Sequence, residues 1–393
     1  MTLFLIMVGL IIIVGIVENY IHNNNLKNID LKIHVNGTRG KSSITRLIAG
    51  ALREAGYKTI AKTTGTQPRL IDENGDEETI NRWGIPRIVE QMKIISKISQ
   101  RKPDALVMEC MAISPEMQWI TENKMIKSNI GIISNVRLDH TDKMGASLEE
   151  IAETLSLSIP TEGELITSDQ DFYQYFKNIA NTKNTNIHLG KPEDVNDDYL
   201  KKFKYPVYKE NIACALQVSR YLNIDDKIAI KGMQKAKPDP GTLRFFRYSI
   251  NNKNIYLINA FAANDYISTL KTWNKWKEWY QFNDYKHLPI IGLYNNRSDR
   301  SFRLKQLAKL RNNINFKELI IMNNKLFYIN KFFLNNFNIE VNIKKKSQNN
   351  ATLLKDLITK YNSDIILFGL GNTKYQGMDM INFFSKNGVE ITC

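Results

Sequence analysis

Cysteine is scarce: Cys110, Cys214 and Cys393 are the only 3 in 393 residues. The number is odd and no CxxC pair occurs. Neither a disulfide framework nor a thiolate metal cage fits, and a reducing compartment fits best. Glycine (20) and proline (10) are too few for a collagenous chain, and 43% hydrophobic residues exclude disorder. Acidic residues are the scarcer charge, 40 Asp and Glu against 54 Lys and Arg, leaving +14. Such a surface attracts polyanions, whether nucleic acid, anionic lipid or a polycarboxylate, although general enrichment in Asn, Ile and Lys would give the same excess. No recognised nucleic-acid-binding module accompanies the charge, so no nucleic-acid partner is expected. At about 100–200 residues per domain, the length suggests two or three domains.

What is present begins with an apolar run. Thr2 to Val17 reads TLFLIMVGLIIIVGIV, and extension past Glu18 and Asn19 to Ile21 gives about 20 residues, near what a bilayer core needs. Nothing basic precedes the run and no A-x-A site follows it, unlike a secretory signal peptide. Lys27 and Lys32 lie after it, which sets the rest of the chain on the cytoplasmic side. We therefore expect a single-pass anchor at 1–21 in the cell membrane, a polar linker at 22–30 and a cytoplasmic body.

Within the body, Leu31–Val35 reads as a strand, Asn36–Ser42 as a turn, and Ile44, Leu47, Ile48, Ala51 and Leu52 recur at helical spacing before Gly56. Further strands are expected at Ala105–Met108, Ile130–Ser134, Leu165–Thr167 and Ile187–Leu189, with helices around Ile85–Ser99 and Leu148–Leu157. This alternation predicts an α/β fold with a parallel sheet in a central domain at 31–240. The KAKPDPGT segment at 235–242 breaks any regular element. Beyond it, strands at Ile255–Ala260, Ile290–Tyr294, Leu319–Met322 and Ile365–Phe368 suggest a smaller, Rossmann-like α/β domain at 241–393.

The strongest chemical signal is Gly37-Thr38-Arg39-Gly40-Lys41-Ser42-Ser43, at a strand-to-helix turn. Glycines let backbone N–H groups approach a phosphate chain, and the helix start adds partial positive charge. Lys41 would reach the β- and γ-phosphates of a nucleotide, and the Ser42 hydroxyl suits Mg²⁺. The general pattern G-x-x-x-x-G-K-[ST] asks for glycine at 35, where Val35 stands. Glu109 follows a strand and should stand at the sheet's carboxyl edge, where open α/β folds bind ligands. Read alone, it is as readily a solvated or ion-paired carboxylate. NVRLDHTD at 135–142 brings an amide, two carboxylates and His140 to the same edge. Asn259–Asp265, Asn295–Arg300 and Gly369–Asn372 close strands of the second domain.

GTRGKSS, then Glu109, then NVRLDHTD together resemble the ATP-dependent amino-acid ligases that include the Mur peptidoglycan ligases and folylpolyglutamate synthase. Their phosphate loop also lacks the first Walker glycine, so Val35 fits this branch. TTGTQPR at 63–69, MECMAISPE at 108–116, AFAAND at 260–265 and NNRSDR at 295–300 are similar to the poly-γ-glutamate synthase branch of that family. The similarity runs from Lys32 through the second domain and includes the anchor.

The resemblance implies ATP and Mg²⁺ as cofactors and a set of roles. Gly37 to Ser43 would cradle the phosphates, and Ser42, Glu109 and His140 would ligate the metal, with Thr64 in a loop that often adds a hydroxyl. Lys41, Glu109 and His140 would carry the catalysis. Asn211, opening a helix expected at Asn211–Leu222, would contact adenine, while Arg244 and Asp265 would make further nucleotide contacts. Arg69, Arg297 and Arg300 are candidates to grip a substrate carboxylate. One departure is that Leu155 stands where Mur and folylpolyglutamate ligases carry a carbamylated lysine. Only residues 1–36 precede the glycine turn, leaving no room for the domain that binds a UDP-linked precursor in Mur ligases.

The implied activity is ATP-dependent polymerisation of glutamate through γ-linkages by way of an acyl phosphate. Glutamate and poly-γ-glutamate are the expected partners, with small membrane subunits of a synthase or export complex, and a homo-oligomer remains open. Two alternatives stay on the table. One is a folylpolyglutamate synthase-like ligase, and the other is a membrane-tethered NTPase that powers polymer export.

Overall fold

A computed structural model of the chain describes residues 1–65, 67–82, 84, 86–263, 265–295, 309–322, 340–344 and 349–391. The chain divides into two compact units, residues 1–202 with 207–238, and residues 203–206 with 239–393.

Helix α1, Thr2–Lys27, opens the first unit. Its side chains up to Ile21 are exposed almost throughout, and it is long and apolar enough to cross a membrane. The expected linker at 22–30 is instead the last part of this helix and its exit. His22 and Leu26, four residues apart, share a helical face and are buried. Leu26 and Ile29 join Ile94, Ile95, Ile98, Met125 and Ile126 in one apolar cluster. The His22 Nε2 lies 2.8 Å from the Met125 carbonyl oxygen, and Ser99 donates to Asn25 at 3.0 Å.

After α1 come β1 (Leu31–Asn36), α2 (Lys41–Glu54), β2 (Thr59–Thr63) and the hairpin β3 (Arg69–Ile71) and β4 (Glu77–Thr79). They are followed by α3 (Val89–Ser99), β5 (Ala105–Glu109), α4 (Pro115–Ile120), a π-helical turn at Thr121–Ile126, and β6 (Ile130–Ile133). Then come α5 (Leu148–Ser156), β7 (Glu164–Thr167), α6 (Tyr173–Thr182), β8 (Asn186–Leu189), α7 (Asp197–Leu200), α8 (Lys209–Tyr221) and α9 (Asp226–Lys235). The sheet runs β4-β3-β2-β5-β1-β6-β7-β8, and all but the hairpin strands pair in parallel. Every residue of β5 is buried, as expected for a strand covered on both faces. Strand β1 sits between β5 and β6, so the chain's path reverses there. Open α/β sheets bind ligands outside the carboxyl ends of strands at such a point.

The second unit holds β9 (Arg244–Ile250), β10 (Lys253–Asn259), α10 (Tyr266–Trp279), β11 (Ile290–Tyr294), β12 (Phe316–Ile321) and β13 (Glu340–Ile343). It continues with α11 (Asn350–Tyr361), β14 (Ile365–Leu370), α12 (Gln376–Asn387) and β15 (Val389–Glu390). Its sheet order is β13-β12-β11-β14-β10-β9-β15, parallel from β13 to β10, with β9 and β15 antiparallel. Alternation splits the core between the two faces. Ile366 and Phe368 pack with Phe245, Trp273 and Trp276, while Ile365 and Leu367 pack with Phe246, Leu357 and Phe384. The architecture is α/β with two parallel-rich sheets.

Candidate active site

The turn between β1 and α2 needs its glycines. Gly37 has φ +117° and Gly40 φ +87°, in the left-handed region that side chains resist. A Cβ on Gly37 would lie 2.1 Å from the Ser134 hydroxyl oxygen, and one on Gly40 would lie 2.5 Å from Asn211 Oδ1. The strand-end residues of β6 hold this turn in place. Ser134 Oγ donates to the Arg39 carbonyl at 2.6 Å, and Asn135 Nδ2 donates to the same oxygen at 3.0 Å. The Asn135 Oδ1 accepts from Thr38 Oγ1 at 2.7 Å and from the Arg39 N–H at 3.1 Å. Arg39 also pairs with Asp139 at 2.8 Å.

Helix α2 starts directly from this turn. Its N-cap is Gly40, which has no side chain to satisfy the first N–H groups, and no acidic residue stands in its first turn. An anion is the natural complement of such a helix start. Lys41 folds back so that Nζ donates to the Gly37 carbonyl at 2.6 Å. Ser42 Oγ donates to Glu109 Oε2 at 2.9 Å, and the Thr64 N–H donates to the same oxygen at 2.6 Å. Glu109 is 2% exposed. Hydroxyl and carboxylate oxygens side by side, next to an anion-favouring turn, suit a hard divalent cation. The residues therefore fit a nucleotide and its metal ion.

His140 sits on the loop that Arg39 and Asp139 tie to the glycine turn. Its backbone has φ +47°, its N–H donates to Asp139 Oδ1 at 3.1 Å, and Nε2 lies 4.0 Å from Asp139 Oδ2. Among the described residues, no group of three or more His, Cys, Asp or Glu side chains is placed to share a metal. Thr64 meets Glu109 through its backbone N–H. Asn211 falls in the first turn of α8, 7% exposed and against Gly40. Leu155 is fully buried in an apolar cluster with Ile151, Ile159 and Phe176.

Other expected site residues are engaged elsewhere. Arg69 donates to Thr79 Oγ1 at 2.5 Å and to Gln67 Oε1 at 2.6 Å, within the β3–β4 hairpin region. Arg244 pairs with Glu390, at 2.7 Å from Nε, and lies over the Phe246 ring. Asp265 caps α10, accepting from the Ser268 N–H at 2.8 Å. Arg297 and Arg300 lie outside the described residues.

Three features behind the site carry little sequence signal. Lys62 is fully buried on β2 and pairs with Glu90 at 2.8 Å, which Arg82 grips with two further bonds at 2.5 and 2.8 Å. Burial pushes the Glu90 carboxyl up, but Arg82 and Lys62 outweigh it and hold it at about 2. His34 on β1 is 1% exposed, with Nδ1 2.7 Å from Glu122 Oε2. Burial pushes its imidazole down, yet Cys110 and Glu122 prevail and hold it at about 10. Asn36 donates to Gln118 and Ser158 at 2.6 and 2.8 Å, fixing the end of β1 just before Gly37. Of these, only Asn36, at the end of β1, stands where its position could have flagged it.

The fold sets an uncapped glycine turn at the carboxyl edge of a parallel sheet. Residues 35–237 match the family model of the Mur ligase middle domain, and residues 245–387 match that of the poly-gamma-glutamate synthase CapB C-terminal domain. The bifunctional folylpolyglutamate synthase/dihydrofolate synthase of Yersinia pestis, solved with AMPPNP and Mn ion, superposes with TM-score 0.65 at 14% identity. That match covers 94% of this chain and 92% of the other. MurF from Acinetobacter baumannii superposes with TM-score 0.64 at 13% identity, over 94% and 79%. The chain belongs to the Mur ligase superfamily, whose members are ATP-dependent amide-bond ligases.

Two curated relatives narrow this. PGA synthase CapB of Bacillus subtilis (strain 168) is 39% identical over 311 residues, 78% of each chain. Capsule biosynthesis protein CapB of Bacillus anthracis is 40% identical over 301 residues, 76% of this chain, and the match spans 64% of that relative's length. Within the superfamily, the chain belongs to the CapB family of poly-γ-glutamate synthases.

Proposed function

We propose that this chain polymerises glutamate through γ-amide bonds at the expense of ATP, at the cytoplasmic face of a membrane. The γ-phosphoryl group of ATP passes to a γ-carboxylate oxygen, giving an acyl phosphate and ADP. The amino nitrogen of another glutamate then attacks the acyl carbon. The C–N bond forms as the C–O bond to phosphate breaks, and phosphate leaves as the amine loses a proton. Protein catalysis of such transfer is largely positioning and charge neutralisation.

The observation that carries this reading is the 2.9 Å contact between Ser42 and Glu109 beside the turn that Gly37, Gly40 and Lys41 build. Lys41 and the N–H groups of Thr38 to Ser43 would hold the phosphates. Mg²⁺ held by Ser42 and Glu109, with His140 and the Thr64 hydroxyl completing its shell, would neutralise phosphate charge when bound. Asn211, packed against Gly40, is assigned a nucleotide contact, and Arg244 and Asp265 are assigned further ones. The carboxylate grip is assigned to Arg69, Arg297 and Arg300, of which Arg69 also bonds to Thr79 and Gln67.

Support for the membrane setting comes from α1, apolar and exposed up to Ile21, with Lys27 at its end and Lys32 beyond it. Small membrane subunits would then take the polymer outward. The test is ADP release by the full chain in nanodiscs with Mg²⁺-ATP, with and without glutamate or short γ-glutamyl oligomers. Stimulation by these compounds that vanishes in Lys41→Ala is the expected result. Lys41-dependent turnover indifferent to every glutamyl compound, with membrane subunits supplied, would overturn the proposal.

A further inference from the structure

The second unit contains a cavity of about 500 Å³ whose walls include Trp273, Lys277, Lys286, His287, Asn313 and Lys317. Residues 286–290 lead into β11, and Asn315 and Lys317 stand at the start of β12. The cavity therefore lies at the amino ends of these strands. Ligands of open α/β sheets sit at the other end, where Asn295 after β11 donates to the carbonyls of Asn372 and Lys374 after β14.

The cavity is lined by three lysines and a histidine without a single carboxylate. Some lysines elsewhere have a carboxylate beside them. Lys97 meets Glu78, Lys209 meets Asp197, Lys231 and Lys235 share Glu54, and Lys360 meets Glu318. Lys277, Lys286 and Lys317 have no such partner among the described residues. Lys277 instead lies over the Trp273 ring, 5.8 Å from its centroid. Cations gathered without counter-charge in a concave wall focus a positive potential that an anion relieves.

The lining also bears on how an anion is held. No arginine is present, so recognition rests on separate ammonium point charges rather than on a bidentate fork. Trp273 is 3% exposed and offers no open platform for a nucleic-acid base. Separate ammonium groups with amides between them suit carboxylates spaced along a flexible chain. We propose that this cavity is an exosite for a γ-linked polyglutamate chain, gripping carboxylates of product that has left the reaction site. The identity of that chain rests on the function proposed above.

The test uses the full chain in nanodiscs and the triple variant Lys277→Gln, Lys286→Gln, Lys317→Gln. Fluorescence anisotropy of a labelled γ-glutamyl oligomer, without nucleotide, should show salt-sensitive binding that weakens about tenfold or more in the variant. ADP release with free glutamate should be unchanged while the polymer made becomes shorter. Equal oligomer binding by variant and wild type would overturn the proposal, as would equal displacement of the oligomer by a single-stranded RNA. Should wild type release no ADP in response to glutamate and yet bind the oligomer through these lysines, the function reading would fall and the exosite stand. If the triple variant fails to fold, Lys286→Glu alone, at an exposed position, reads the same binding loss.

Discussion

His34 shows how a single buried residue ties stability to pH. It lies on β1, three positions before Gly37, with Glu122 on Nδ1 and Cys110 beside it. Its folded value of about 10 stands above the ordinary 6.5. The stability it contributes is therefore complete below pH 6.5 and lost as pH climbs through about 10. Thermal unfolding across that range should show a Tm that declines with rising pH, and the decline should flatten in His34→Gln. An identical pH profile in the variant would show that His34 is not the titrating group. None of this was legible in the sequence, where a histidine inside an apolar strand carries no sign of its partner 88 positions away. Glu109 was legible because it ends a strand beside the glycine turn. Asn135 was visible as a strand-end amide but reads differently in three dimensions, as a clamp on the Thr38 and Arg39 backbone.

At the scale of elements, α2 carries Lys41 and Ser42 at one end and crosses α9 near its middle. A Cβ on Gly50 would lie 2.5 Å from the Gly232 carbonyl oxygen, and one on Gly232 would lie 2.2 Å from that of Gly50. Backbone meets backbone here, so no flexible side chain can yield. Gly50→Ala should cost about 1–3 kcal/mol through overpacking, even though alanine is the better helix former. Chemical denaturation measures this, and an unchanged or raised midpoint would refute the close crossing. Strand, turn and α2 were readable because apolar spacing and two glycines agree on them. The hairpin β3–β4 was not, because Glu77–Thr79 is short and polar and its pairing is fixed by Arg46 and Arg69 reaching Glu77 from outside the strand. Strand β15 is only two residues long and exists through its pairing with β9.

For the whole molecule, the decisive matter is where the apolar helix ends and the folded body begins. Composition draws that line at Ile21 and makes the Asn-rich stretch after it a flexible tether. Packing draws it at the same residue but gives the stretch the opposite character. His22, Leu26 and Ile29 are each no more than 5% exposed; Leu26 and Ile29 join the apolar cluster of α3 and the π-helical turn, and His22 meets the Met125 carbonyl in that turn. A deletion of residues 2–21 removes only the helix whose side chains are largely exposed, so the shortened protein should leave the membrane fraction and keep the thermal stability of the full chain. A deletion of residues 2–30 also strips Leu26 and Ile29 from their cluster. Each large apolar side chain lost from a packed core costs about 2–5 kcal/mol, so this second protein should unfold well below the first. Comparing the two by calorimetry in matched detergent separates a tether from a seated helix. Equal Tm values would mean that residues 22–30 are only a tether. A lower Tm for the longer deletion would mean that α1 is built into the first unit, so that any membrane holding this helix also holds the glycine turn and Glu109 at a fixed height.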